Sequence, residues 1–214
     1  AVWIDPLLRE QAAIYGYTLT SPSAVVATHL QEIARRHADE LLTRDAAKHL
    51  LDELRQVAPA VVDELIPTGL KLSEVQQVLQ LLLREEIPIR QLGIIIETLG
   101  DHAERTKDPV LLVEAVRRRL ARTISSRYRD ASGRLRVVTL DPALEDRIAA
   151  GIQHDEQGIQ IRLHPQAAEL TCERIDQIVK NLVAAGYPPV LLVSPRIRPG
   201  LRQITAGALP RLKI

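Results

Sequence analysis

The side chains in this sequence best suited to chemistry are six histidines, a single cysteine, an adjacent Thr28-His29 pair and a Ser194-centred segment. His29, His37, His49, His102, His154 and His164 show neither H-x-x-x-H nor H-E-x-x-H spacing, so no zinc-ligand set emerges and no metal is expected. Thr28 and His29 invite a nucleophile-base reading. Adjacent residues on a helix point about 100° apart, however, and do not face one another, so the pair is not a dyad. Cys172 lies between Leu170 and Ile175 in an apolar helical pattern and reads as a small buried hydrophobe.

Two other segments carry charge. In "VLLVSPRIRPG" an expected strand runs into Ser194 and an expected helix start, with Arg196 and Arg198 nearby, an arrangement that can bind an anion at a helix N-terminus. A small-molecule or phosphate-binding α/β enzyme centred on Ser194 and Arg196 is therefore one reading, although G-x-S-x-G, G-x-x-x-x-G-K and G-x-G-x-x-G are all absent. The run "RRRLARTISSRYR" fans Arg117, Arg118 and Arg119 around a helix with few aromatics to stack bases. It reads as a solvated face or a domain-interface set, and no nucleic-acid partner is expected.

Composition narrows the field further. The chain has 214 residues, room for one domain or two, and 28 Lys and Arg against 27 Asp and Glu give a formal charge of +1. That balance implies no partner of one sign. One cysteine forms no internal disulfide, which favours a reducing compartment such as the cytoplasm. No apolar run approaches the ~20 residues that cross a bilayer, and Ala1 opens no signal peptide, so a soluble piece of a longer protein is expected. With no Phe, one Trp and four Tyr, the core must rest on Leu, Ile, Val and Ala.

The elements that position these residues are punctuated by Asp5-Pro6, Ser21-Pro22, Asp108-Pro109, Asp141-Pro142 and Ser194-Pro195. Each reads as a helix start, the Asp or Ser oxygen capping free N–H groups and proline supplying the first helical φ. Ser73 with Gln76 suggests a capping box. Helical apolar spacing at Val26, Leu30, Ile33 and Leu41, at Val75, Val78, Leu79 and Leu82, and at Leu92, Ile95, Ile96 and Leu99 makes 22–128 almost wholly helical. After "RDASGR" at 129–134, the runs "LRVVTL", "IQIRL", "PVLLVS" and "RLKI" alternate with helices, among them one from Pro165 to about Ala185. "AVWI" and "YTLT" read as strands around a short helix. The fold class expected is thus α+β with several subdomains, a mainly α-helical middle domain preceding an α/β C-terminal domain. Pro67, Gly69 and 129–134 are candidate pivots.

Taken in order, "GYT…SPSAVVATHL", "RDAAKHLLDEL", "EVQQVLQLLLREEIPIRQL", "VVTLDPALED" and "PPVLLVSPRIRPGLR" closely resemble the cytoplasmic region of the FHIPEP family, the export gates of type III secretion. "SAVVATHL" with "TLDPALE" favours the flagellar branch; the virulence injectisome export gate shares the architecture and is the alternative. The resemblance implies a docking platform without catalytic activity or cofactor. It would receive export chaperone-substrate complexes, help order export and meet other export-apparatus components. Family members assemble as nonameric rings beneath the channel, held in the bacterial inner membrane by an N-terminal part that this sequence lacks. The implied subdomains are 1–21, the end of a small α/β unit; 22–42, a helix returning to the first unit; 43–128, helical; and 129–214, α/β and C-terminally incomplete. By the "VVATHL" match, Thr28 lies in a hydrophobic dimple that accepts these complexes, with Val25 and Thr20 on its wall. The family's dimple also uses an acidic residue and a phenylalanine from a preceding stretch, which would fall before Ala1. A helical Thr that bonds the carbonyl of residue i−4 is the plainer reading of the same residue.

Overall fold

The computed structural model of the protein describes residues 2–66, 69–155 and 158–214, with backbone alone at 154, 155 and 158. Pro67 lies outside the described residues, as does the side chain of His154.

Asp5 accepts a hydrogen bond from Leu7 N–H at 2.8 Å and opens a 3-10 turn, Pro6–Leu8, that leads into α1, Arg9–Ile14. Ser21 accepts from Ala24 N–H at 3.3 Å and starts α2, Pro22–Arg36, which is followed by the single turn α3, Ala38–Leu41. No side chain from residue 2 to residue 41 is buried; Leu42 is the first that is. Over the described residues, 2–4 and 17–20, the strands expected in "AVWI" and "YTLT" do not form. A strand needs a neighbouring backbone to take up its N–H and C=O groups, and no described segment pairs with these residues.

From Thr43 onward the apolar spacing finds partners. Helices α4 (Arg44–Val57), α5 (Pro59–Leu65), α6 (Leu72–Arg84), α7 (Leu92–Ala103) and α8 (Pro109–Arg119), with the short α9 (Ala121–Ser126), enclose one aliphatic core. Val75, Val78, Leu79 and Leu82 of α6 meet Ile95, Ile96 and Leu99 of α7 and Leu112 and Val116 of α8 in that core, all fully buried. Each such side chain contributes about 1.5–3 kcal/mol by leaving water. The capping box sits two residues earlier than Ser73 and Gln76 suggest: Glu74 accepts from Lys71 N–H at 2.6 Å. Lys71 has no acceptor to return the bond, so the box is half made. Gln76 instead donates to the Leu42 carbonyl at 2.9 Å, anchoring the entry to α4.

Asp130 ties the 129–134 segment into a turn by accepting from Ser132 and Arg134 N–H, both at 2.9 Å, with Gly133 at φ +76°. Beyond it come β1 (Val138–Thr139), α10 (Pro142–Ala150), β2 (Ile152–Asp155), β3 (Gly158–Ile161), α11 (Pro165–Ala184), β4 (Leu191–Leu192) and α12 (Arg198–Ala208). β1 and β4 pair in parallel through this long crossover, while β2 and β3 form an antiparallel pair that the alternation reading missed at β2. "LRVVTL" and "PVLLVS" contribute only two strand residues each, and "RLKI" adds a single bridge, Val190 with Lys213. A second core of Ile148, Ile175, Val179, Leu191, Ile197, Leu201 and Leu212 lies beneath. The α+β fold with a helical middle is as expected.

Candidate functional site

Thr28 is exposed, and its hydroxyl donates to the Ala24 carbonyl at 2.7 Å. Thr98, Thr171 and Thr205, all buried, bond their own i−4 carbonyls at 2.7, 2.7 and 2.9 Å. The bond thus forms in exposed and buried surroundings alike, although Thr123 of α9 donates to Gln91 Oε1 at 2.8 Å instead. What distinguishes Thr28 is access: a hydroxyl donating inward still offers its lone pairs outward. Val25, 38 % exposed, shares the Thr28 stripe by a spacing of three, while Thr20 lies exposed in the segment entering the helix. The stripe continues through Glu32 and Arg35. Val26, Leu30 and Ile33 form a second, apolar stripe that is 65, 65 and 43 % exposed. With Trp3, Leu7, Ile14, Tyr15 and Tyr17 also open, residues 2–41 present an apolar surface without a cover.

Ionic contacts hold α2 at its C-terminal end. Glu32 accepts from Arg35 at 2.9 and 3.0 Å and from Arg36 at 2.7 Å, and these guanidiniums lower its pKa from 4.5 to about 2. Arg35 also bonds Glu86, whose carboxylate pairs with Lys213 at 3.0 Å and whose carbonyl accepts from Arg127. Burial pushes the Glu86 carboxyl up, yet Lys213 and Arg35 together bring it below its ordinary value. Glu86 sits at φ +58°, where glycine usually closes a helix: Glu86 N–H bonds Leu83 O at 2.8 Å and Ile87 N–H bonds Leu82 O at 2.9 Å. A residue with a Cβ is held there at a cost of about 1–2 kcal/mol, offset by a side chain that joins α2, the end of α6 and the C-terminal segment.

The Ser194 segment does not form the anion site that its sequence suggests. The chain turns at 194–197, Ser194 Oγ accepts Arg196 N–H at 3.2 Å, and the helix begins only at Arg198 with Pro199 in its first turn. The Glu145 carboxylate already accepts Ser194 N–H at 3.2 Å. Arg198, 7 % exposed, points into the protein, bonding Glu114 through Nε at 2.8 Å and Glu85 at 3.0 Å. Burial opposes its charge, but Glu114 and Glu85 raise its pKa on balance. Arg117 joins the same cluster through Glu85 and the Ile214 carbonyl, whereas Arg118 and Arg119 stay exposed. Two carboxylates thus neutralise two guanidiniums between the helical and α/β cores.

That cluster and the Glu86 clasp are what sequence reading missed. A signal was present in "REEIP": carboxylates at a helix C-terminus oppose the macrodipole unless cations wait nearby. Among the described residues, no buried polar side-chain atom lacks a partner and no His, Cys, Asp and Glu group could hold a metal ion. Cys172 is buried, its thiol donating to Ile204 O at 3.5 Å between α11 and α12, and burial raises its pKa.

The model of the FHIPEP family matches residues 1–214. The chain belongs to the FHIPEP family. It is 34 % identical over 214 residues to the flagellar biosynthesis protein FlhA of Bacillus subtilis (strain 168), covering all of this chain and 32 % of that relative. The FHIPEP chain therefore spans about a third of the length of the curated relatives it matches. Among solved structures, the Chlamydia pneumoniae CdsV protein is similar at TM-score 0.85 and 25 % identity, over 99 % of this chain and 61 % of that one. The nonameric EPEC SctV-C is similar at TM-score 0.75 and 26 % identity, over 97 % and 62 %. No helix among the described residues of this FHIPEP chain is long and apolar enough to cross a membrane.

Proposed function

We propose that this chain is part of the cytoplasmic region of a flagellar type III export gate. Its role is a docking platform for export chaperone-substrate complexes, helping to order export. The observation that carries the reading is α2: an amphipathic helix in an FHIPEP member, with no buried residue on any face and a threonine on its accessible stripe. Apolar contacts along the face would supply most of the binding energy, and the Thr28 hydroxyl, flanked by Val25 and approached from Thr20, would fix orientation. Such work makes and breaks no covalent bond. The flagellar assignment rests on 34 % identity to FlhA against 25 % to CdsV.

On the same reading the chain divides at 21, 42 and 128, and the longer protein assembles as a ring of nine, as EPEC SctV-C does. Its remaining length would carry the membrane anchor in the bacterial inner membrane and meet other export-apparatus components. Calorimetry with a flagellar chaperone bound to its substrate tests the proposal, on this chain and on a version extended to the length of its solved relatives. Binding to the extended version that Thr28→Asp weakens is expected, because the new carboxylate is desolvated in an apolar contact. Equal binding by both variants would remove Thr28 from the site; binding only to an injectisome chaperone would move the protein to the virulence branch.

A further inference from the structure

A concavity of ≈ 720 Å³ opens between the end of α2, the end of α6, the residues after α9, and α12 with the segment following it. Seven of its lining side chains are cationic and two, Glu32 and Glu86, are carboxylates, a surplus of five on a chain whose whole formal charge is +1. The cations are not equally committed. Arg35 and Lys213 serve Glu86, Arg127 serves the Glu86 carbonyl, and Arg84 is engaged by Asp39 at 3.0 Å. Arg211 is exposed and has no carboxylate partner among the described residues. Arg202 gives one N–H to the Leu212 carbonyl at 3.2 Å, and Arg36 is 61 % exposed with only the shared Glu32 beside it. Guanidiniums with free N–H edges are suited to bidentate capture of carboxylates.

We propose that this cleft binds an acidic, extended peptide segment of a partner protein, whose carboxylates are taken by Arg211, Arg202 and Arg36. The wall chemistry selects a peptide. Glu32 and Glu86 interrupt the positive surface and would repel a continuous phosphate chain, whereas a peptide can place neutral residues opposite them. Tyr128 is the one aromatic in the lining, too few for a stack of bases, and Pro189, Pro210 and Ala206 offer apolar patches for aliphatic carbons. The site lies beyond the exposed apolar face of α2 and does not depend on that face being a docking surface.

Fluorescence anisotropy of a labelled peptide of alternating Glu and Ser, titrated with the 214-residue chain, tests this. Binding that weakens as salt is raised is expected, with affinity falling at least about tenfold in Arg36→Glu/Arg211→Glu. Arg118→Glu/Arg122→Glu, which makes the same change in net charge at exposed positions outside the cleft, should leave affinity unchanged. Equal loss in the two double variants would overturn the proposal by showing attraction to net charge alone. Absence of peptide binding, or tighter binding of a single-stranded oligonucleotide of matched charge, would overturn it as well.

Discussion

Helices α2 and α6 carry the same kind of message and meet different fates. Both are amphipathic, begin at a proper start and end in basic residues. Yet α6 buries four aliphatic side chains completely, and α2 buries none. Periodicity therefore says which face seeks a partner, and only packing says whether the partner is within the same 214 residues. The helical middle closes over its own apolar stripes; residues 2–41 keep theirs open and are held by the ionic clasp on Glu86 and the packing of α3 on α6.

Substitutions across the two regions should separate them sharply. Arg198→Ala strips the buried cluster of a guanidinium and leaves Glu114 and Glu85 short of a partner; a loss of about 3–5 kcal/mol in urea unfolding is expected. Leu82→Ala should cost about 2–5 kcal/mol, because the fully buried site cannot refill. Leu30→Ala on the open stripe should stay within about 0.5 kcal/mol. A large loss for Leu30→Ala would mean that α2 is packed in solution after all. Gly200→Val should cost about 1–3 kcal/mol, since even a Cβ there would lie 2.9 Å from Ile152 and 3.3 Å from Ile161 where α12 crosses the β2–β3 pair.

The clasp gives a pH test of the weaker region. Glu32 and Glu86 both have lowered pKa values in the folded chain, so their contribution is complete above the ordinary carboxylate value of 4.5 and is lost as pH falls through the lowered values, about 2 for Glu32. Amide NMR signals of α2 should shift and broaden over that interval while those of Val75, Val78 and Leu79 in the middle of α6 stay fixed, and Glu86→Gln should remove the Glu86 part of the response. Signals of α2 and α6 that move together would show one cooperative unit.

Much of this arrangement was legible in the sequence, for reasons that particular residues make plain. Asp5, Ser21, Asp108 and Asp141 each cap the start that follows them, because a cap is a local bond needing no distant partner. Ser194-Pro195 fails because Pro199, four residues on, supplies a second start, and Arg198 is drawn inward by carboxylates on α8 and at the end of α6. The strands expected at "AVWI" and "YTLT" fail because strand pairing is a property of two segments, and neither has a neighbour among the described residues. Residue pattern alone leaves Thr28 a helical threonine with a local i−4 bond, its reading as part of a docking surface coming from the family resemblance; that the apolar face of the same helix is uncovered is visible only in the fold.

Hydrogen exchange on a version of the chain extended to the length of its solved relatives, with and without a flagellar chaperone-substrate complex, tests the docking claim most directly. Slowed exchange confined to Pro22–Arg36 and the segment entering it, with α6 unchanged, is the predicted result. A complex that binds and leaves the exchange of α2 untouched would contradict it.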